Sequence, residues 1–291
     1  MKHKFLFILL FSLVLEGMVT TQAVAGDYVH QVNTLIGTKG TGLTSGYLYP
    51  GATYPYGMVQ FTPSYFSKRS GFVINQLSGG GCEHMGNFPT FPVKGKLKMS
   101  PDNILNYRIN VSEEKGHAGY YEAMVQEDIK AKLTVTERTG MASYEYPADQ
   151  QYGTIIIGGG ISATPIEQAA IVITAPNKCE GYAEGGNFCG LRTPYKVYFV
   201  AEFDTDAFET GTWKREELMP NTTFAEGEYS GVYFTFDVNK KKNIQYKIGV
   251  SYVSVENARE NLKAENAEWD FQKIQNQAEA KWNHYLGMIE V

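Results

Sequence analysis

Residues 129–136, Ile129-Lys130-Ala131-Lys132-Leu133-Thr134-Val135-Thr136, alternate between apolar and polar side chains without a break. A period of two puts the first set on one face of an extended chain and the second on the other. One buried face and one wet face are the mark of an antiparallel sheet. Working outward, similar patterns predict strands over 141–146, 152–157, 170–174, 195–203, 232–236 and 244–253. Turn residues separate them and no helical period intervenes, which predicts a mainly β, antiparallel β-sandwich. Upstream, residues 28–95 are dense in Gly, Pro, Ser and Thr and read as long loops between short strands. There is no internal repeat and no low-complexity segment.

The two ends read differently. Met1-Lys2-His3-Lys4 is basic, residues 5–15 form an apolar run, and Ala23-Val24-Ala25 offers small residues before Gly26. That order predicts a signal peptide over 1–25 and an exported chain, periplasmic or secreted. The run is shorter than the ~20 residues a bilayer span needs, and no later segment approaches that length. From about 256 to 286 helix formers dominate, and Phe271, Ile274, Ala278, Trp282 and Leu286 fall on one helical face. Ser254 and Asp270 stand where N-caps belong, so two helices are expected. The predicted layout is therefore a sandwich domain over 26–253 and a helical segment over 254–291, which ends on a strand-like fragment with no closing turn.

Net charge is −5 with acids and bases interspersed, which speaks against a nucleic-acid surface. The 20 Tyr and 16 Phe suit ordinary sheets first and half-apolar sugar-binding surfaces second. Of three cysteines, Cys179 and Cys189 share a Gly- and Asn-rich stretch and are the candidate disulfide. Cys82 reads as a buried free thiol. No C-x-x-C pair or His/Cys cluster indicates a metal site. Gly158-Gly159-Gly160 lacks the Lys-Ser/Thr of a phosphate loop and reads as a turn. His117 and His284 read as ordinary surface or cap residues, and Glu113-Glu114 and Glu216-Glu217 as solvated faces.

The segment with the most chemistry is 75–87, Asn-Gln-Leu-Ser-Gly-Gly-Gly-Cys-Glu-His-Met-Gly-Asn. Its glycines permit positive φ and close approach of the backbone to a neighbour or ligand. Gln76, Gly80, Gly81, Cys82, Glu83, His84 and Asn87 are the candidate ligand-binding set, because amides and acids offer what sugar hydroxyls require. Cys82 with His84 as a nucleophilic pair rests only on adjacency in sequence. Glu83 as a glycosidase carboxylate needs a second one at ~5–9.5 Å.

Several blocks together carry a resemblance: VNTLIGT (32–38), YPGATYPYGMVQFTP (49–63), QLSGGGCEHMGNFP (76–89), GHAGYYEAMV (116–125), IKAKLTVTERTGMASYEYP (129–147), YKIGVSYVSVENARENLKAEN (246–266) and the stretch from Trp269 to Val291. In this order they resemble the N-terminal part of glycoside hydrolase family 92. The resemblance implies a galactose-mutarotase-like supersandwich joined by linker helices to an (α/α)6-barrel catalytic domain. It also implies an exported, exo-acting α-mannosidase that needs calcium and inverts stereochemistry by single displacement. In that family the general acid, the general base and the calcium ligands lie in the barrel, so no catalytic residue and no metal ligand is assigned to this chain. Its implied partners are a mannose-containing glycan and the barrel of the same polypeptide, and the chain alone is expected to be inactive. The sandwich would supply a wall of the sugar pocket, matching residues 76–87 here. One departure stands out: residues 64–78, SYFSKRSGFVINQLS, are short and lack the Trp many members place there. Phe66 or Phe72 is the expected substitute, which leaves the linkage preference open. The rival reading is a stand-alone carbohydrate-binding or interaction module without catalysis.

Overall fold

The computed structural model describes residues 26–38, 48–64, 71–82, 84–103 and 111–289. The predicted signal peptide, Phe66 and Glu83 lie outside the described residues. The strands, in chain order, are β1 (Ala52–Thr53), β2 (Gln60–Pro63), β3 (Phe72–Val73), β4 (Thr90–Lys94), β5 (Val111–His117), β6 (Tyr120–Val125), β7 (Ile129–Val135), β8 (Thr139–Glu145), β9 (Tyr152–Gly158), β10 (Ile166–Ala175), β11 (Lys178–Phe188), β12 (Leu191–Phe203), β13 (Glu209–Lys214), β14 (Glu217–Pro220), β15 (Phe224–Glu226), β16 (Ser230–Asp237) and β17 (Asn243–Ser251). Two helices follow, α1 (Val255–Glu265) and α2 (Phe271–Leu286).

One sheet runs β1-β2-β3-β4-β9-β16-β13-β14 and the other β15-β10-β11-β12-β17-β8-β7-β6-β5. Neighbouring strands pair antiparallel throughout, as the period-two pattern requires. The alternation in β7 decides its orientation. Ile129, Ala131, Leu133 and Val135 are fully buried, whereas Lys130 and Lys132 keep solvent contact. The core between the sheets takes Ile155 and Ile157 from β9, Phe199 and Phe203 from β12, and Phe234 and Phe236 from β16. Much of the aromatic content is spent here, since Trp213, Tyr121, Tyr144, Tyr146, Tyr233 and Tyr246 are among the largest fully buried side chains. Gly158 closes β9 and the next two glycines form a turn, as expected.

Both helices lie on the nine-stranded sheet. Val200 points away from the core that Phe199 and Ala201 enter, and it packs with Ala258 and Leu262 of α1. Gly249 of β17 makes this approach feasible, because a Cβ there would stand 2.5 Å from the Ala258 carbonyl oxygen. Ser254 accepts from Asn257 N and Asp270 from Lys273 N, so both predicted caps are present. On α2, Ile274 and Ala278 are buried and Trp282 Nε1 donates to Thr53 O at 2.7 Å. The sandwich thus covers the middle of the apolar stripe of α2, whereas Phe271, Trp282 and Leu286 are half-buried.

The expected Cys179–Cys189 bridge is contradicted. Cys179 sits at the start of the eleven-residue strand β11 and Cys189 in the turn after its end. Ten residues of extended chain, at ~3.3 Å each, hold them far beyond the reach of a disulfide. Cys189 is instead bonded to Cys82 across a Cα–Cα distance of 5.4 Å, and the buried free thiol is Cys179. Burial raises the pKa of that thiol, which keeps it protonated and inert.

Candidate functional site

The glycine-rich segment is the loop from β3 to β4. Its neck is closed by three contacts. Ile74 N donates to Asn87 O at 3.3 Å, Asn87 N donates to Asn75 Oδ1 at 2.8 Å, and Asn75 Nδ2 donates to Asn87 Oδ1 at 3.0 Å. A loop pinched at its base and packed by its own side chains is a rigid presenter of functional groups. Three further anchors hold it. Ala163 N donates to Met85 O at 2.7 Å, Gln60 Nε2 donates to Ser78 Oγ at 2.7 Å, and the Cys82–Cys189 disulfide ties it to the β11–β12 turn of the other sheet. The loop therefore bridges the two sheets at one end of the sandwich.

The glycines are needed for two reasons. Gly79 and Gly81 adopt φ of 74° and 75°, which favours glycine. Gly80 instead makes room, since a Cβ there would stand 2.7 Å from His84 Cε1. His84 is buried, with Nδ1 2.8 Å from Cys82 O and its ring edge-on to Phe188 at 5.1 Å. A carbonyl only accepts, so Nδ1 carries the hydrogen and Nε2 is left with no partner among the described residues.

Gln76 and Asn87 are fully buried. Among the described residues neither amide atom of Gln76 has a hydrogen-bond partner, nor has Asn87 Nδ2. Asn87 Oδ1 is well served, accepting from Tyr195 OH at 2.7 Å as well as from Asn75. Tyr195 and Tyr252 close the same side, their rings 6.5 Å apart, and burial raises the pKa of both phenols so that each keeps its proton. A buried, unpartnered amide costs about 1–3 kcal/mol, so this loop concentrates polar capacity that a hydroxyl-bearing guest or ordered water would satisfy.

Two expectations fail here. Phe72 is fully buried in β3, stacked on Tyr144 at 6.1 Å and edge-on to Tyr121 at 6.3 Å. Its strand position aims it into the core, so it offers no face to a sugar. Cys82 is half of a disulfide rather than the expected free thiol, which also removes it as a nucleophile. Sequence reasoning missed Tyr195, Tyr252 and Phe188. The two tyrosines lie at the ends of predicted strands, but only the β12–β17 register brings those ends side by side.

The family model of the glycosyl hydrolase family 92 N-terminal domain matches residues 31–251. The chain belongs to that family. A family 92 α-mannosidase from Bacteroides thetaiotaomicron superposes with a TM-score of 0.76 at 25% identity, over 90% of this chain and 38% of that one. An inverting family 92 mannosidase from Bacteroides thetaiotaomicron VPI-5482 shares the fold, with a TM-score of 0.74 at 23% identity over 90% of this chain and 36% of that one. An uncharacterized secreted glycosidase of Arthroderma benhamiae is 25% identical over 96% of this chain and 41% of that protein. The chain thus spans about two fifths of the length of the family 92 proteins it matches. No helix among the described residues is long and apolar enough to cross a membrane.

Proposed function

We propose that this chain is the sandwich portion of an exported, exo-acting α-mannosidase, and that its glycine-rich loop forms one wall of the pocket for a terminal α-mannose. The observation that carries the reading is the gathering of unpartnered polar atoms, Gln76 Nε2 and Oε1, His84 Nε2 and Asn87 Nδ2, on the same loop as the solvent-exposed backbone of Gly79 and Gly81, which a ligand can reach. A sugar hydroxyl donates and accepts at once, which is what a primary amide needs. Family 92 membership makes mannose the sugar of choice, given what the solved relatives cleave.

In this proposal the chain binds and orients, and the chemistry lies elsewhere. Inversion requires a general acid and a general base spaced to admit a water. No such pair is assigned to this chain, and the chain by itself is expected to release no mannose. Calcium dependence belongs to the proposal for the whole enzyme. Calcium takes six to eight oxygen ligands. Among the described residues the one candidate metal cluster is His30, His117 and Glu279, which is too nitrogen-rich for it. The calcium ligands of the whole enzyme are assigned to the catalytic domain, as the resemblance to family 92 implies. Residues 254–291 would act as the helical link toward the catalytic domain, and residues 1–25 as the export signal.

The test is mannose release by this chain alone and by one polypeptide that continues into the coding sequence after Val291. The reading expects activity only in the longer polypeptide, and a lower kcat/KM when Gln76→Ala is introduced there. Release by the chain alone, or an unaffected Gln76→Ala enzyme, contradicts it. A second reading, a stand-alone sugar-binding module, draws on α2, whose Ile274 and Ala278 are buried against the sandwich. A stop codon directly after Val291 favours it.

A further inference from the structure

We propose that His30, His117 and Glu279 form a binding site for a divalent transition metal, with zinc as the fitting ion, which staples the N-terminal segment to the β5–β6 hairpin and to α2. One ligating atom from each of the three residues lies within 4.8 Å of the other two. The His30 and His117 rings are 4.6 Å apart, and His117 Nε2 is 3.5 Å from Glu279 Oε1.

Proton placement argues for a cation. His117 Nδ1 is 3.2 Å from Ala118 O, and a carbonyl only accepts, so the hydrogen sits on Nδ1 and Nε2 presents a lone pair to the Glu279 carboxylate. His30 Nδ1 is 2.5 Å from Asp27 Oδ1, which by the same logic leaves Nε2 bare in the neutral ring. Lone pairs brought together repel unless a proton or a metal lies between them. The two Nδ1–H groups held by a carboxylate and a carbonyl are also the outer support that metal-ligating histidines ordinarily have.

The frame is already in place. Tyr28 N and Val29 N both donate to Asn283 Oδ1 at 2.9 Å, docking the N-terminal segment on α2. Gln275 Nε2 donates to Glu279 Oε1 at 2.6 Å, and Tyr120 stacks on the His117 ring at 5.0 Å. Tetrahedral zinc, with bonds of ~2.1 Å, separates its ligand atoms by about 3.4 Å, so atoms within 4.8 Å of one another need to close by at most about 1.4 Å. Two imidazoles and one carboxylate suit zinc rather than calcium or magnesium. His30 is exposed, so solvent can supply a fourth ligand.

The experiment is thermal unfolding and isothermal titration of the full, chelator-stripped chain with ZnCl2 and, in parallel, CaCl2. The expected result is one zinc per chain and a midpoint raised by roughly 5 °C or more at a hundredfold excess over Kd, with no response to calcium. His117→Ala and Glu279→Gln should abolish the response, and Asp27→Asn should weaken zinc about tenfold. Glutamine at 279 keeps the volume and the contact with Gln275, so loss of zinc there is separable from misfolding. No zinc response in the wild type, or a response that persists in the His117→Ala/Glu279→Gln double variant, overturns the proposal.

Discussion

Replacing Cys189 by serine removes the one covalent tie between the glycine-rich loop and the other sheet. The bridge closes a loop with a sequence separation of 107 residues. On the chain-entropy account, a cross-link around a loop of about 100 residues stabilises by about 4.7 kcal/mol at 25 °C, near the upper end of measured values. For a chain of this size one kcal/mol moves the midpoint by roughly 2–4 °C. The Cys189→Ser midpoint should therefore fall by roughly 10–20 °C. Dithiothreitol should lower the wild type to the same value and leave Cys189→Ser unchanged. The buried Cys179 supplies the control, because Cys179→Ala should keep the full gap between oxidised and reduced protein. A fall below about 3 °C, or a gap that vanishes in Cys179→Ala, refutes the pairing. So does a non-reduced peptide map that links Cys179 to Cys189.

Three other substitutions probe the loop and the strand that leads into it. Phe72→Ala should destabilise by about 3–5 kcal/mol, as for a buried ring, whereas a sugar-facing Phe72 would leave the denaturant midpoint nearly unmoved. Gln76→Leu should raise the thermal midpoint slightly by removing an unpartnered buried amide, while it weakens mannoside binding; a fall in stability would mean that the amide is satisfied in the free protein. Gly80→Ala should push the His84 ring aside, at about 1–3 kcal/mol, and shift its ring resonances; unchanged resonances would contradict the contact.

The large β-branched and aromatic strands were readable because they alternate strongly, as β7 does, or are wholly apolar, as in the Ile155-Ile156-Ile157 run of β9. β11 was hidden although it also alternates. Its buried positions are Cys179, Gly181, Ala183 and Gly185, and such small residues read as loop. Gly181 is small because a Cβ there would run into the Ala170 carbonyl. Misreading β11 as loop is what made Cys179–Cys189 look reachable. β5 was hidden for another reason. It is a charged edge strand with a register shift between Ser112 and Lys115, where Glu113 takes φ 51°. The pair read as solvated there was half right, since Glu114 Oε1 accepts from Tyr121 OH at 2.8 Å. At the candidate site the loop announced itself through its glycines. Its partners Tyr195, Tyr252 and Cys189 lie more than a hundred residues away and depend on strand register, which no local pattern encodes. His117 looked isolated for the same reason, because His30 and Glu279 reach it only through the fold.

In the proposed function the loop that carries Gln76, Gly80, Gly81 and Asn87 meets a mannose. The most direct measurement is backbone amide and side-chain NMR of the chain titrated with methyl α-mannoside, with methyl α-galactoside in parallel. The account predicts saturable shifts for mannoside at the Gln76 and Asn87 side-chain amides and the Gly80 and Gly81 backbone, and weaker ones for galactoside. Shifts absent from this loop, or equal for both sugars, would contradict it.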